Sequence, residues 1–339
     1  MNAPLWTDTH APDIEDLPQA AVRDRLWRAV DEPMNLVVQG PPGAGKTAAV
    51  RALADAAHND ANDLVELNVA DFFDRTKKEI RNDPRFESFL TGRSRMAKRD
   101  MINRILKESA SYAPVSGEYK TIVLDNAEAI REDFQQALRR VMEKHHRTTQ
   151  FVIVTRQPST LIAPVRSRCF PVPVRAPTAD EVEAVVGGVL KAEEVEYDDD
   201  GLEFLAGYAD GDLRRGLLGA QTTARQADEV TMSAVHETLQ DIGYDDELRS
   251  VLAATEAGDV AEARKTVGTL LDDEGYDGQS LLIDLLSAAR KRYDGDDLAR
   301  LHRLAGEVDL DVVTGTNDRL HLTHLLSAWS ERNTEAQGA

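Results

Sequence analysis

Gly40-Pro-Pro-Gly-Ala-Gly45-Lys46-Thr47 constrains this chain more than any other stretch. It fits G-x-x-x-x-G-K-[ST], with the apolar run Met34–Gln39 before it and helix formers from Lys46 to Ala57 after it. Strand, glycine-rich turn and helix in that order aim backbone N–H groups and a helix N-terminus at one point, which is how phosphate is held. Gly40, Pro41, Pro42, Gly43, Ala44 and Gly45 form the cradle, Lys46 reaches the β/γ-phosphates, and the Thr47 hydroxyl is placed to ligate Mg²⁺. The expected cofactors are therefore ATP and Mg²⁺. Such a site needs a second acid at the end of a neighbouring strand, and Asp125, directly after Thr121-Ile-Val-Leu124, fills that role.

Two short β-branched runs, Thr121–Leu124 and Phe151–Val154, are too brief for helices and read as buried parallel strands. Glu132–Lys144 between them reads as a helix, so the front of the chain is an α/β domain with a mostly parallel sheet flanked by helices. The prolines of Pro171-Val-Pro-Val-Arg-Ala-Pro177 end a strand and mark a hinge. Thr178-Ala-Asp-Glu181 then has the form of a capping box. From there onward the periodicity is helical, without a convincing strand, and a second break falls near Asp241–Asp246. The expected organisation is a P-loop ATPase domain over 1–175, a small helical lid over 176–241, and an all-α domain over 245–333.

The 339 residues carry a net charge of −20, which at first argues against nucleic acid as a partner. The distribution reverses that inference. Residues 1–175 hold 26 Lys and Arg against 24 Asp and Glu, while the remainder holds 14 against 36. A neutral front and a strongly acidic back suit a cytoplasm of very high salt, and a halophilic source is expected. No run approaches the roughly 20 apolar residues of a membrane span, and Met1–Asp8 lacks the basic-then-apolar pattern of a secretory signal, so a cytoplasmic protein is expected. The single cysteine, Cys169, excludes an internal disulfide and a multi-cysteine zinc site.

Leu124-Asp-Asn-Ala-Glu128, Phe134-Gln-Gln-Ala-Leu-Arg-Arg-Val-Met-Glu143 and Ile162-Ala-Pro-Val-Arg-Ser-Arg-Cys-Phe170 together resemble the small subunits of replication factor C, the AAA+ ATPases that load sliding clamps. Gly211-Asp-Leu-Arg-Arg215 is similar to that family's G-D-x-R-[RK] segment, and Leu5–Pro12 is similar to a worn W-x-x-K-Y-R-P. The resemblance runs by motif from about residue 4 to 240, and over the helical remainder by architecture only. It implies a subunit of a five-membered hetero-oligomer whose partners are other clamp-loader subunits, a sliding clamp and primed DNA. It also implies that Arg168, of Ser-Arg-Cys, is an arginine finger reaching the neighbour's ATP site. A guanidinium there neutralises charge on the transferring phosphoryl group; the alternative is that Arg168 pairs with a local carboxylate. Arg214 corresponds to the lid's sensor arginine, and the adjacent Arg215 is the alternative.

Three positions depart from the family pattern. Asn126 stands where the catalytic glutamate follows the Mg²⁺ aspartate, and an amide orients water without acting as a base. Glu128 is the nearest replacement, sharing a face with Asn126 only if the strand continues. Arg156, beside Thr155, stands at the sensor asparagine, and His10-Ala11 replaces a Tyr-Arg pair. The expectation is a subunit that keeps ATP and Mg²⁺ but hydrolyses slowly or not at all by itself, the plain alternative being an active enzyme with rearranged helpers. Two alternatives stay open: a permanently nucleotide-bound structural subunit supplying a trans finger, and another AAA+ DNA-processing ATPase such as a branch-migration helicase, for which wing-like strands after residue 245 would speak. Arg93, Arg95, Lys98, Arg99, Arg104 and Lys107 are spaced to follow a phosphate backbone without reading bases, or else form a solvated helix face. Segment 72–95, with Phe72, Phe73 and Phe86, is longer than the family's usual connection. His145-His146 and the pair His321 and His324 lack companions at metal-ligand spacing and are expected to be structural.

Overall fold

The computed structural model describes residues 4–69, 76–82, 97–242, 245–272, 277–315 and 317–337. The chain forms two compact units, Met1–Val235 and His236–Ala339.

The first unit opens with the short helix α1 (Trp6–Thr9) and α2 (Ala20–Asp31). There follow β1 (Leu36–Gln39), α3 (Lys46–Ala57), β2 (Leu64–Asn68), α4 (Lys77–Asn82), α5 (Lys98–Ser111), β3 (Lys120–Asp125), α6 (Glu132–His145), β4 (Thr149–Thr155), the single turn α7 (Ala163–Arg166) and β5 (Phe170–Pro173). The five strands make one parallel sheet in the order β2-β3-β4-β1-β5. Central strands are covered on both faces, so they need apolar residues throughout. Thr121 to Leu124 and Phe151 to Val154 accordingly have almost no exposed surface. One face carries Val37, Leu67, Ile122, Leu124, Phe151 and Ile153 against α5 and α6. The other carries Leu36, Val38, Val123, Val152 and Val154 with Leu26 of α2 and Leu53 of α3. α6 buries Phe134, Leu138, Val141 and Met142, the spacing of one helical stripe.

The parallel register aligns the strand ends. Asn68 lies opposite Asp125, and Gln39 lies opposite both Thr155 and Pro173. Loops leaving the carboxyl ends of an open parallel sheet therefore converge on one crevice.

After the prolines come α8 (Ala179–Ala192), β6 (Glu196–Tyr197), α9 (Asp199–Ala209), α10 (Leu213–Gln226), β7 (Glu229–Val230) and α11 (Met232–Ile242). The capping box at α8 is present, with Thr178 and Glu181 satisfying each other's backbone N–H groups. One expectation is corrected: this region holds a two-stranded parallel ladder, β6 with β7. Strands of two residues are too short to show an alternating pattern in sequence. β2 also escaped the sequence reading. The N-terminal segment is laced to the lid: Trp6 is buried, its backbone N–H donates to Gln221 Oε1 at 3.1 Å, and Gln221 Nε2 donates to the Pro4 carbonyl at 2.9 Å. His10, which stands where the resembling motif has tyrosine, pairs with Glu193 of α8 at 2.5 Å.

The second unit contains α12 (Asp245–Glu256), α13 (Val260–Asp272), α14 (Gly278–Arg290), α15 (Gly295–Thr314) and α16 (Asp318–Gln337). Val251, Val267, Leu285, Leu304, Leu322 and Trp329 share one core, and Tyr293 meets Trp329 edge-on at 5.4 Å between centroids. Among the described residues beyond 245 every element is a helix. Also among them, no helix is long and apolar enough to cross a membrane.

Candidate functional site

The sequence around residues 40–47 turns where it must. Gly43 and Gly45 have φ of +67° and +90°, backbone that side-chain-bearing residues rarely adopt. Gly40 lies so close to the Val174 carbonyl that an added Cβ would stand 1.9 Å from its oxygen. Lys46 is buried at the start of α3, and its Nζ donates to the Pro41 carbonyl at 2.5 Å. Burial lowers the affinity of its amine for a proton, while the charges of Asp125, Glu128 and Asp212 work the other way. The Thr47 hydroxyl donates to Asp125 Oδ2 at 3.0 Å. Two oxygens that sequence spacing assigned to one Mg²⁺ are thus adjacent, 78 residues apart in the chain.

The lid closes over the same loop. The Leu213 N–H at the start of α10 donates to the Gly43 carbonyl at 3.0 Å. Asp212 caps α10 by accepting from the Arg215 N–H at 3.0 Å, and a Cβ on Gly43 would overlap its carboxylate. Of the two lid arginines, Arg215 lies over the Tyr208 ring, 4.0 Å from its centroid, whereas Arg214 is exposed.

Beyond Asp125 the strand stops, so Glu128 does not share a face with Asn126. Asn126 takes left-handed backbone, φ 54° and ψ 46°, which asparagine tolerates better than most residues. Its Nδ2 donates to Asn68 Oδ1 on β2 at 3.1 Å. Glu128 turns to the opposite neighbour, β4. Its Oε2 accepts from the Thr155 hydroxyl at 3.0 Å and the Arg156 N–H at 3.2 Å, and its Oε1 from Arg156 Nε at 2.7 Å. Burial pushes its carboxyl up, but these bonds outweigh burial and hold it below the ordinary glutamate range. Glu128 is an engaged anion and a weak base. Arg156 is its partner.

The segment from Thr160 to Arg168 is held by α6. Gln135 is buried; its Nε2 donates to the Thr160 carbonyl at 3.0 Å, and its Oε1 accepts from the Ile162 N–H at 2.7 Å. Arg168 sits after α7, donating through Nη1 to the Pro164 carbonyl at 2.6 Å and through Nη2 to Glu143 Oε1 at 2.5 Å. Cys169 beside it is partly buried, and burial pushes its thiol up to about 12. Of the expected DNA contacts, Arg93 and Arg95 lie outside the described residues, as do Phe72, Phe73 and Phe86. Lys98 and Arg99 begin α5, Arg104 pairs with Glu108 at 3.0 Å, and Lys107 is exposed. Among the described residues no cluster of three or more His, Cys, Asp or Glu side chains is placed to hold a metal ion.

A five-stranded parallel sheet with this loop, this acid and a helical lid defines an AAA protein. Residues 36–174 match the model of the ATPase family associated with various cellular activities. Residues 244–328 match the replication factor C C-terminal domain. The chain is 29% identical to the replication factor C small subunit of Haloarcula marismortui over 96% of this chain and 95% of that protein. It is 27% identical to that of Halobacterium salinarum over 96% and 95%. These are halophilic relatives, in keeping with the acidic composition. Over nearly its whole length the chain is thus similar to replication factor C small subunits, with the AAA match in front and the replication factor C C-terminal match behind. Among solved structures it is similar to the Thermotoga maritima RuvB Holliday junction branch migration motor, with a TM-score of 0.51 at 16% identity over 79% of this chain and 81% of that one. That likeness concerns the fold alone.

Proposed function

We propose that this chain is an ATP- and Mg²⁺-binding subunit of a sliding-clamp loader, with an ATPase portion over 1–175, a lid over 176–241 and a collar over 245–333. It would act in a hetero-pentamer with other clamp-loader subunits on a clamp and primed DNA. The observation that carries the reading is Thr47 Oγ1 lying 3.0 Å from Asp125 Oδ2 in the crevice that Leu213 closes. Lys46 and the backbone from Gly40 to Gly45 would hold the phosphates, and Thr47 with Asp125 would hold Mg²⁺. Bound ATP supplies a transferable phosphoryl group. Arg214, exposed at the α10 N-terminus beside the loop, is the better candidate for the lid sensor, since Arg215 is stacked on Tyr208.

In this reading the subunit's own hydrolysis is weak. Asn126 offers no base, and Glu128 is tied to Thr155 and Arg156 and held as an anion. Its finger serves the neighbour. Helices alone among the described elements beyond 245, together with the C-terminal domain match, favour a clamp loader over a branch-migration helicase. The test is reconstitution with the partner subunits and clamp. Loading onto primed DNA should require this chain, and Lys46→Ala should abolish its equilibrium binding of fluorescent ATP; unchanged binding would overturn the site.

A further inference from the structure

Helix α6 holds the finger segment at both of its ends. At the N-terminal end, Gln135 clamps the backbone at Thr160 and Ile162. At the C-terminal end, Glu143 takes the guanidinium of Arg168 itself. The first contact fixes where the segment starts; the second concerns only a side chain. The Arg168 and Glu143 side chains are 38% and 44% exposed, so their ion pair lies in solvent.

We propose that Glu143 is a positioning residue that parks the Arg168 guanidinium on its own subunit until a neighbour's nucleotide phosphates draw it away. This rests on the reading of Arg168 as a finger acting in trans. A finger works by its net positive charge, and a carboxylate against the guanidinium cancels much of that charge. Engagement across the interface therefore requires the carboxylate to release it.

Three features make release feasible. An exposed ion pair of this kind biases an equilibrium by no more than about fivefold, which a triphosphate can outcompete. Glu143 Oε1 also lies 3.8 Å from Arg139 Nε, one helical turn back, so the carboxylate keeps a cationic partner when Arg168 departs. Finally, the backbone clamp by Gln135 means that the side chain can swing from a fixed base. Pro164 and Glu143 use two of the five guanidinium donors, leaving three to approach a phosphate before the pair breaks.

The test uses the reconstituted complex. Affinity of this chain for its ATP-binding neighbour is measured with a non-hydrolysable ATP analogue, and steady-state ATPase is measured alongside. Glu143→Gln, which keeps size and removes charge, should tighten that association about two- to fivefold. It should raise kcat by a similar factor with KM for ATP unchanged. On an Arg168→Ala background the same substitution should do nothing. Unaltered or weakened association in Glu143→Gln, or an equal effect with Arg168 absent, overturns the parking role. If Arg168→Ala alone leaves association and turnover at wild-type values, the finger reading falls too, so the two failures are distinguishable.

Discussion

Asn126→Glu should make the protein less stable and the complex faster. Residue 126 lies at φ 54° and ψ 46°, where a residue other than glycine or asparagine costs about 1–2 kcal/mol. The substitution also removes the bond from Asn126 Nδ2 to Asn68 Oδ1, a loss of about 1 kcal/mol. Together the first unit should lose about 2–3 kcal/mol. Against this, a carboxylate beside Asp125 restores a proton acceptor, and general-base catalysis is worth about 10²–10⁴ in rate. Asn126→Gln is the control, carrying a similar backbone strain without the base. Guanidinium unfolding should show a lower midpoint at unchanged slope for both variants. Steady-state ATPase of the assembled complex should rise for Glu alone. Equal turnover in the two variants, no higher than wild type, would refute the argument that a missing base limits this site.

Further outcomes follow from other parts of the molecule. Asp125→Asn should remove most of the Mg²⁺ dependence of ATP binding, read by titrating Mg²⁺ against fluorescent ATP; an unchanged Mg²⁺ midpoint would contradict the pairing with Thr47. His58 is pushed below its ordinary pKa by burial, so it folds neutral while the unfolded chain binds the proton. Its contribution is full above about pH 6.5 and declines as pH falls toward the lower folded value. His58→Gln should flatten the loss of stability between pH 7 and 5, and an identical pH profile would exclude the effect. Replacing Arg95, Lys98 and Arg99 together should weaken DNA binding by the complex and reduce the slope of log affinity against log salt by about 0.9 per lost contact. An unchanged slope would leave these three cations without a part in DNA binding.

The parts legible in the sequence were those whose meaning is local. Eight consecutive residues define the phosphate loop, and Asp125 announces itself by ending an apolar run. Thr178 and Glu181 satisfy each other three residues apart. What escaped was decided across the sheet. Glu128 follows Asn126 by two positions, yet the left-handed turn at Asn126 sends their side chains to different strands, β2 and β4. Arg156 finds Glu128 at a separation of 28 residues and Arg168 finds Glu143 at 25, distances over which periodicity says nothing. β2 was missed because its pattern is only half-buried on an edge strand. Asp63 before it gave no signal either. It is fully buried and anchors residues 115–116 by accepting from two backbone N–H groups and the Ser116 hydroxyl.

The central claim is that this subunit activates a neighbour's site more than its own, and Arg168→Ala addresses it most directly. The variant is assembled with wild-type partners, clamp and primed DNA, and both ATP binding to this subunit and turnover of the complex are measured. Binding should stay at the wild-type level, because Arg168 lies outside the crevice formed by Gly43, Thr47, Asp125 and Leu213. The neighbour's share of turnover should fall by orders of magnitude, since a trans finger contributes about 10³ or more, and clamp loading should fall with it. Lysine at 168 should rescue little, lacking the planar fork. Wild-type turnover and loading with Arg168→Ala would contradict the account.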